Sequence, residues 1–245
     1  MHFTSETTTD GVSEKLFVLD DIHGALWTSA DATGPRPLIL ICHGGGQHKK
    51  APGVLARAHR YVTACGFAAA AIDAPGHGDR SMTEAEEQRV AEIRQRMATG
   101  EQVGPLIAAH NAEIAARAVP EWRATLDALQ KAGHADRPVG FSGLSMGTAI
   151  GVRFVAAEPR VRAAVFGLMG HETLTEAAAK VSIPVQFLLQ WDDEFIPRDS
   201  AIELFDAFAS PEKTLHANPG GHIDVPRFEV DSSEQFFRRH LLTSR

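Results

Sequence analysis

The stretch Gly143-Leu144-Ser145-Met146-Gly147 decides the fold that this sequence predicts. It follows a short apolar run, residues 138–141, and precedes an alanine- and valine-rich stretch, residues 148–157, with the pattern of a helix. A strand, a sharp turn and a helix in this order hold a serine in a strained conformation, with its hydroxyl exposed at the strand end. Glycines are required on either side because side chains would collide at so tight a turn. The pattern predicts Ser145 as a nucleophile.

Strands and helices alternate on both sides of this turn. Two strands before it, residues 14–20 and 23–30, read as an antiparallel pair. Further strands are predicted at residues 38–42, 67–72, 162–168, 184–190 and 213–217, and those at 38–42, 67–72 and 184–190 have the apolar composition typical of a buried parallel sheet. Helices are predicted between and after them, at residues 52–64, 173–180, 197–208 and 230–242. This alternation indicates an α/β fold.

Residues 82–133 interrupt the alternation, because they are helical and polar and contain no strand pattern. Glycine and proline divide them into three helices, the third of which is predicted to begin at Pro120. A single helix is enough for a crossover between parallel strands. We therefore expect the surplus helices to form an insertion, a lid over the strand ends. Without a repeat or linker, the chain is predicted to be one domain, residues 1–245.

Charge and cysteine content narrow the possible partners. The formal net charge of −7 argues against a nucleic acid or an anionic membrane as a partner. Cys42 and Cys65 are expected to be reduced and structural. The first ten residues show no secretory signal, and no run approaches the length of a membrane span. We expect a cytoplasmic protein without a nucleic-acid or membrane partner, and the sequence leaves its oligomeric state open.

A serine nucleophile needs a general base, which is usually histidine. Ligands of an open parallel sheet bind beyond the carboxyl ends of its strands, and four of the 12 histidines fall there: His43, His77, His171 and His222. His222 follows the last strand and a Pro-Gly-Gly turn, in a loop that can fold back over the sheet, so it is the predicted base. His77 is expected to bond its own loop, and His171 is a candidate substrate contact.

The acid that orients this histidine is expected after strand 184–190, where the sequence reads Trp191-Asp192-Asp193-Glu194. The order serine, acid, histidine is the one that this type of serine turn predicts. Spacing to Pro197 favours Asp193, with Asp192 second and Glu194 third. Trp191 is interpreted as a core residue or as a pocket wall that contacts substrate.

Attack on a carbonyl creates an oxyanion, which needs preorganised N–H donors. Met146 supplies one at the start of the helix after Ser145. The loop His43-Gly44-Gly45-Gly46 supplies the second; Gly45 is favoured, with Gly44 and Gly46 as alternatives and as substrate contacts. Lys49, just beyond this loop, is interpreted as part of a solvated helix start.

These motifs, together with Asp73-Ala74-Pro75-Gly76-His77-Gly78, resemble the α/β-hydrolase superfamily over about residues 14–243, and the layout is similar to its esterase and dienelactone-hydrolase-like branches. The resemblance implies a mostly parallel eight-stranded sheet and a Ser145–His222–Asp193 triad. Dienelactone hydrolases use a cysteine nucleophile, whereas this chain has Ser145.

The sequence thus predicts a serine hydrolase that cleaves a small-molecule carboxylic ester through an acyl-enzyme, without a cofactor or a metal. One alternative is a thioesterase or acyltransferase with the same triad. Another is a catalytically silent hydrolase fold that binds a ligand.

Overall fold

A computed structural model describes residues 1–242, and the last three residues of the predicted domain lie outside this range. One nine-stranded sheet, in the order β1-β2-β3-β5-β4-β6-β7-β8-β9, organises the chain. The strands are β1 His2–Thr9, β2 Val12–Leu19, β3 Ile22–Ser29, β4 Leu38–Cys42, β5 Ala68–Ile72, β6 Val139–Gly143, β7 Val161–Gly167, β8 Val185–Gln190 and β9 Lys213–Asn218. The helices are α1 Pro52–Cys65, α2 Glu84–Ala98, α3 Gly104–Lys131, α4 Met146–Ala157, α5 Thr175–Ala178, α6 Arg198–Ala207 and α7 Phe228–Leu241.

The sheet is antiparallel at one edge and parallel elsewhere. Strands β1, β2, β3 and β5 pair antiparallel in turn, and all pairs from β5 through β4 to β9 are parallel. This arrangement confirms the predicted fold class, a mostly parallel α/β sheet flanked by helices. It also brings the carboxyl ends of β4, β6 and β8 to one edge, where the candidate residues lie.

The sheet has nine strands rather than the predicted eight. The additional strand is β1, which pairs with β2 at the sheet edge and has all eight residues exposed. Its sequence contains no alternation of apolar and polar residues, because neither of its faces is buried. Backbone pairing and β-branched threonines favour the strand instead, and Phe3 packs edge-on against Phe17 of β2 at a centroid distance of 6.4 Å.

Both faces of the parallel strands are buried. Along β4, Leu38, Leu40 and Cys42 belong to one hydrophobic cluster, whereas Ile39 and Ile41 belong to the other. The first cluster includes buried residues of α3 and α4, and the second includes those of α1 and α7. Because alternate strand residues point to opposite faces, a continuous apolar run is what this two-sided packing requires.

The segment 82–133 forms two helices rather than the three predicted. The second and third predicted helices are one helix, α3, which contains Pro120 in its interior. A proline cannot donate to the carbonyl four residues earlier, but Pro120 and Ala116 are both exposed, so water can bind that carbonyl. Ala115, Ala118 and Trp122 are fully buried on either side of the proline, so packing of one continuous face holds the helix together.

Helix α3 is therefore the crossover between β5 and β6, and only α2 is additional to it. Helix α2 begins with a capping box, in which Thr83 Oγ accepts the N–H of Glu86 and the Glu86 carboxylate accepts the N–H of Thr83. Ile93 is its one buried residue. Within residues 82–133, α3 is packed into the core and α2 is mostly exposed. The predicted lid is thus limited to α2 and its flanking loops.

Candidate active site

Ser145 lies at the turn between β6 and α4, with backbone angles of φ 56° and ψ −122°. Few non-glycine residues adopt a positive φ, and such strain is held in place by the surrounding structure. Here the Ser145 N–H donates to the carbonyl of Gly167 at 2.9 Å, which ties the turn to β7. A Cβ at Gly143 would lie 2.4 Å from the Gly147 carbonyl oxygen. The turn therefore contains the close approach for which glycines are predicted at these positions.

The structure brings Ser145 and His222 together, although 77 positions separate them in the chain. His222 Nε2 lies 3.0 Å from Ser145 Oγ. On the other side of the ring, His222 Nδ1 lies 2.7 Å from Asp193 Oδ2. The alcohol, the imidazole and the carboxylate thus form one continuous hydrogen-bonded series at the predicted edge of the sheet.

Asp193 is held by its own loop. Its second oxygen, Oδ1, accepts the backbone N–H groups of Phe195 and Ile196, each at 2.9 Å. Its side chain is 4% exposed, and that of His222 is 13% exposed. A carboxylate fixed in this way accepts a hydrogen bond from the Nδ1–H group, so Nε2 is left as the basic nitrogen that faces the serine hydroxyl. This arrangement can move a proton from Ser145 to His222.

The two neighbouring acids contact backbone instead of the imidazole. Asp192 Oδ2 accepts the N–H of Gly220 at 3.3 Å, and Glu194 Oε2 accepts the N–H of His222 itself at 2.8 Å. Of the three carboxylates that the sequence left open, only Asp193 contacts the His222 ring among the hydrogen bonds of the described residues.

The glycine loop lies next to the serine turn. Strand β4 ends beside β6, with Cys42 opposite Gly143, and a Cβ at Gly44 would lie 3.8 Å from the carbonyl oxygen of Leu144. The Gly44 N–H approaches Gln47 Oε1 at 3.4 Å. Gly45 and Gly46 are exposed, and no heavy atom lies within 4 Å of a Cβ built on Gly45. The main chain of Gly45 is thus open to an approaching ligand, and Met146, directly after Ser145, begins α4.

His43 anchors this loop from within the protein. Its Nε2 accepts the N–H of Ala74 at 3.0 Å, and its Nδ1 lies 2.8 Å from the Gly44 carbonyl. Burial lowers the pKa of His43 to about 4, so the ring is neutral at pH 7. His77 bonds the Pro75 carbonyl of its own loop at 2.9 Å, which matches the structural role predicted for it.

A buried ion pair that the sequence pattern does not predict supports the same loop. Lys49 Nζ lies 2.7 Å from Asp73 Oδ2, and the Lys49 N–H donates to Asp73 Oδ1. The prediction of a solvated helix start is therefore wrong for Lys49. Burial lowers the pKa of Lys49, but the carboxylates of Asp73 and Asp79 raise it by more, so the net shift is upward. The one available signal was an aspartate that directly follows a buried strand.

His171 and Trp191, the other candidate substrate contacts, both contact side chains of helix α6. His171 Nδ1 lies 3.1 Å from Ser200 Oγ, and Nε2 lies 3.2 Å from a Glu203 carboxylate oxygen. Trp191 is 47% exposed, so its interpretation as a core residue is wrong. The Arg198 guanidinium covers its ring at 3.8 Å from the centroid.

Cys42 is the thiol nearest to the site in the chain. It is fully buried, and burial raises its pKa to about 12. Since the thiolate is the reactive form, Cys42 does not compete with Ser145 as a nucleophile.

A cleft of about 500 Å³ borders the glycine loop and is lined by Gly46, Gln47, His77, Met82 and residues of α2 that include Val90. Within residues 1–242, no group of three histidine, cysteine, aspartate or glutamate side chains is arranged to hold a metal ion. No helix in the same range has both the length and the hydrophobicity that a membrane span requires.

Comparison with known proteins identifies relatives of the whole chain. The family model described as serine aminopeptidase, S33, matches residues 33–167. A cold-adapted esterase from an Arctic intertidal metagenomic library is 33% identical, with 98% of this chain and 100% of that chain covered and a TM-score of 0.79. No curated protein matches the sequence at a significant level.

Two further solved structures share the fold at lower identity. An acetyl xylan esterase from Paenibacillus sp. R4 is 13% identical, with 98% of this chain and 88% of that chain covered and a TM-score of 0.67. A dienelactone hydrolase from Anabaena variabilis is 19% identical, with 93% and 99% covered and a TM-score of 0.59. The expected resemblance to esterases and dienelactone hydrolases of the α/β-hydrolase superfamily is confirmed.

Proposed function

This chain belongs to the hydrolase family described as serine aminopeptidase, S33, and from that premise we propose that it cleaves small-molecule carboxylic esters through an acyl-enzyme. The observation that carries the proposal is the series Ser145 Oγ, His222 Nε2 and Nδ1, and Asp193 Oδ2, joined at 3.0 and 2.7 Å. A serine hydroxyl is a weak nucleophile unless a base removes its proton. The series supports that proton transfer.

In the proposed reaction, Ser145 Oγ attacks the ester carbonyl while His222 Nε2 takes the hydroxyl proton. Asp193 stabilises the imidazolium that forms and holds the ring in its productive orientation. The alcohol then leaves with the proton from His222. A water molecule then gives a proton to His222 Nε2 while its oxygen attacks the acyl carbonyl. As the bond to Ser145 breaks, the carboxylic acid is released and the imidazolium returns the proton to Ser145 Oγ.

The N–H groups of Met146 and Gly45 are proposed to bind the oxyanion of each tetrahedral intermediate. The exposed main chain of Gly45 and the helix start at Met146 support this assignment. Gly44 is the weaker alternative, because its N–H faces the Gln47 side chain. A preorganised donor of this kind is typically worth 10²–10³-fold in kcat.

The cellular location, the domain organisation and the remaining substrate contacts are part of the same proposal. Cys42 and Cys65 are free, which fits a reducing compartment and supports a cytoplasmic location. Single-domain organisation remains part of the proposal, with one sheet running through the described residues. His171 and Trp191 contribute less to substrate binding than the sequence suggested, because both contact α6.

An aminopeptidase is a second candidate, because the matching family model carries that description. The cold-adapted esterase, which is 33% identical over 98% of this chain, supports cleavage of an ester rather than of a peptide. A thioesterase or acyltransferase would use the same residues. Rates on p-nitrophenyl acetate, alanine p-nitroanilide and acetyl-CoA separate these activities, and we expect the ester to be cleaved fastest.

Labelling with a fluorophosphonate probe tests the proposal directly. We expect the wild-type protein to be labelled at Ser145, and Ser145→Ala to resist labelling and to lose roughly 10⁴–10⁶-fold in kcat on p-nitrophenyl esters. Near-normal turnover of Ser145→Ala would overturn the assignment of the nucleophile. A correctly folded wild-type protein that neither reacts with the probe nor cleaves any ester would support the silent, ligand-binding alternative.

A further inference from the structure

The loop that carries His222 is held by side chains at the end of β8. Gln190 Nε2 donates to the carbonyls of Pro219 and Gly221 at 3.2 and 3.3 Å. Backbone bonds add to these contacts, since the Trp191 N–H donates to the Asn218 carbonyl and the Asp192 N–H donates to the Gly220 carbonyl. The two loops, which are far apart in the chain, therefore form one unit.

Two adjacent carboxylates contact His222 itself, at different atoms. Asp193 accepts from the imidazole Nδ1, whereas Glu194 accepts the backbone N–H at 2.8 Å. The main chain before His222 is Gly220-Gly221, and Gly220 has a φ of 100°. Glycines lose more conformational freedom on ordering than other residues, so the order of the His222 backbone depends on the contacts that hold this loop, and the bond with Glu194 is the one made to the His222 N–H itself.

We propose that Glu194 is a positioning residue for the reaction, and that it fixes the His222 backbone while Asp193 fixes the ring. The proposal rests on the proposed function of His222 as the general base. A charged acceptor strengthens a hydrogen bond to an N–H group, and a small displacement of a catalytic group costs much of the rate. The 3.0 Å separation between His222 Nε2 and Ser145 Oγ leaves little room for such a displacement.

The Glu194 carboxylate also packs against the glycine that precedes His222. A Cβ built on Gly221 would lie 2.7 Å from Glu194 Oε2, so a side chain at position 221 would require the end of the Glu194 side chain to move. The carboxylate thus lies close to the main chain on both sides of the Gly221–His222 peptide bond.

A pair of variants separates the hydrogen bond from the charge. Glu194→Ala removes both, whereas Glu194→Gln removes the charge and keeps an oxygen acceptor at the same reach. We expect Glu194→Ala to lower kcat about tenfold with KM unchanged, and Glu194→Gln to recover most of this loss. Glu176→Ala is the matched control, because Glu176, on α5, is an exposed carboxylate that pairs with Lys180, and it should keep wild-type kcat.

Amide hydrogen exchange at His222, followed by NMR, gives a readout that does not depend on activity. Exchange should be faster in Glu194→Ala than in the wild type and close to wild type in Glu194→Gln. Wild-type kcat and exchange in Glu194→Ala would overturn the proposal, as would equal losses in both Glu194 variants. If the wild type itself is inactive, the proposed function fails, while the exchange data still decide whether Glu194 holds the loop.

Discussion

Lys49 Nζ lies 2.7 Å from Asp73 Oδ2, and the two side chains are 7% and 0% exposed. The same ammonium group contacts Asp79 at 2.6 Å, and Asp73 also accepts the N–H groups of Lys49 and Asp79. This cluster joins the segment after the glycine loop to the loop after β5. The attraction between the two charges and the hydrogen bonds to the remaining oxygens offset the penalty for desolvating a buried pair.

Lys49→Met should destabilise the protein by roughly 3–5 kcal/mol, because it leaves the Asp73 carboxylate buried without its cation. The measurement is the free energy of unfolding from urea denaturation. Lys180→Met is the matched control, since the Lys180–Glu176 pair is exposed, and its midpoint should match that of the wild type. Equal midpoints for Lys49→Met and the wild type would show that this pair contributes nothing to stability.

Asp193→Asn should lower kcat on p-nitrophenyl acetate roughly 10³–10⁴-fold, because an amide at this position favours the wrong imidazole tautomer. Asp192→Asn should cost less than about fivefold, because Asp192 contacts only the Gly220 N–H. Fluorophosphonate labelling rates provide a second comparison. If Asp192→Asn lowered kcat more than Asp193→Asn, Asp192 would be assigned as the acid of the triad instead of Asp193.

Gly143→Ala should lower the free energy of unfolding by about 1–3 kcal/mol, because the new methyl group would meet the Gly147 carbonyl oxygen at 2.4 Å. Gly45→Ala makes the same chemical change where no heavy atom lies within 4 Å. It should keep wild-type stability, whatever its effect on activity. Thermal and urea denaturation check both variants. A loss of stability in Gly45→Ala equal to that in Gly143→Ala would contradict the assignment of the cost to this clash.

Stability should fall as the pH drops from 6.5 towards 4, and His43 should account for part of the change. Burial lowers its pKa from 6.5 to about 4 in the folded protein. Between these two pH values the unfolded chain binds a proton at His43 and the folded chain does not. The contribution of neutral His43 to the free energy of unfolding is therefore complete above pH 6.5 and is lost as the pH falls towards 4. This contribution amounts to about 3 kcal/mol.

The slope of unfolding free energy against pH measures this contribution. His43→Gln removes the titrating group, so its slope between pH 4 and 6.5 should be shallower than that of the wild type, whatever its stability at pH 7. Identical slopes would mean that His43 does not contribute to the pH dependence.

Much of the fold follows from short-range features of the sequence. Strand and turn patterns in the sequence predict eight of the nine strands, and the Gly-x-Ser-x-Gly turn indicates the topology around Ser145, because both depend on a few adjacent residues. Strand β1 was missed because it buries neither face. The local pattern predicts a helix start at Pro120 because proline breaks helices, whereas packing along α3 holds both halves in one helix.

The sequence by itself determined the nucleophile turn, the order serine, acid, histidine, and an α/β sheet, since these depend on local backbone geometry and hydrophobic period. Only the tertiary structure decided which of three consecutive carboxylates meets the His222 ring, and that Lys49 is buried against Asp73. Consecutive residues beyond a strand end point in different directions, so the sequence does not show which of them meets a given partner. Asp193 and His222 are 29 positions apart in the chain, and Lys49 and Asp73 are 24 positions apart. Both contacts therefore depend on how the loops fold together over the sheet.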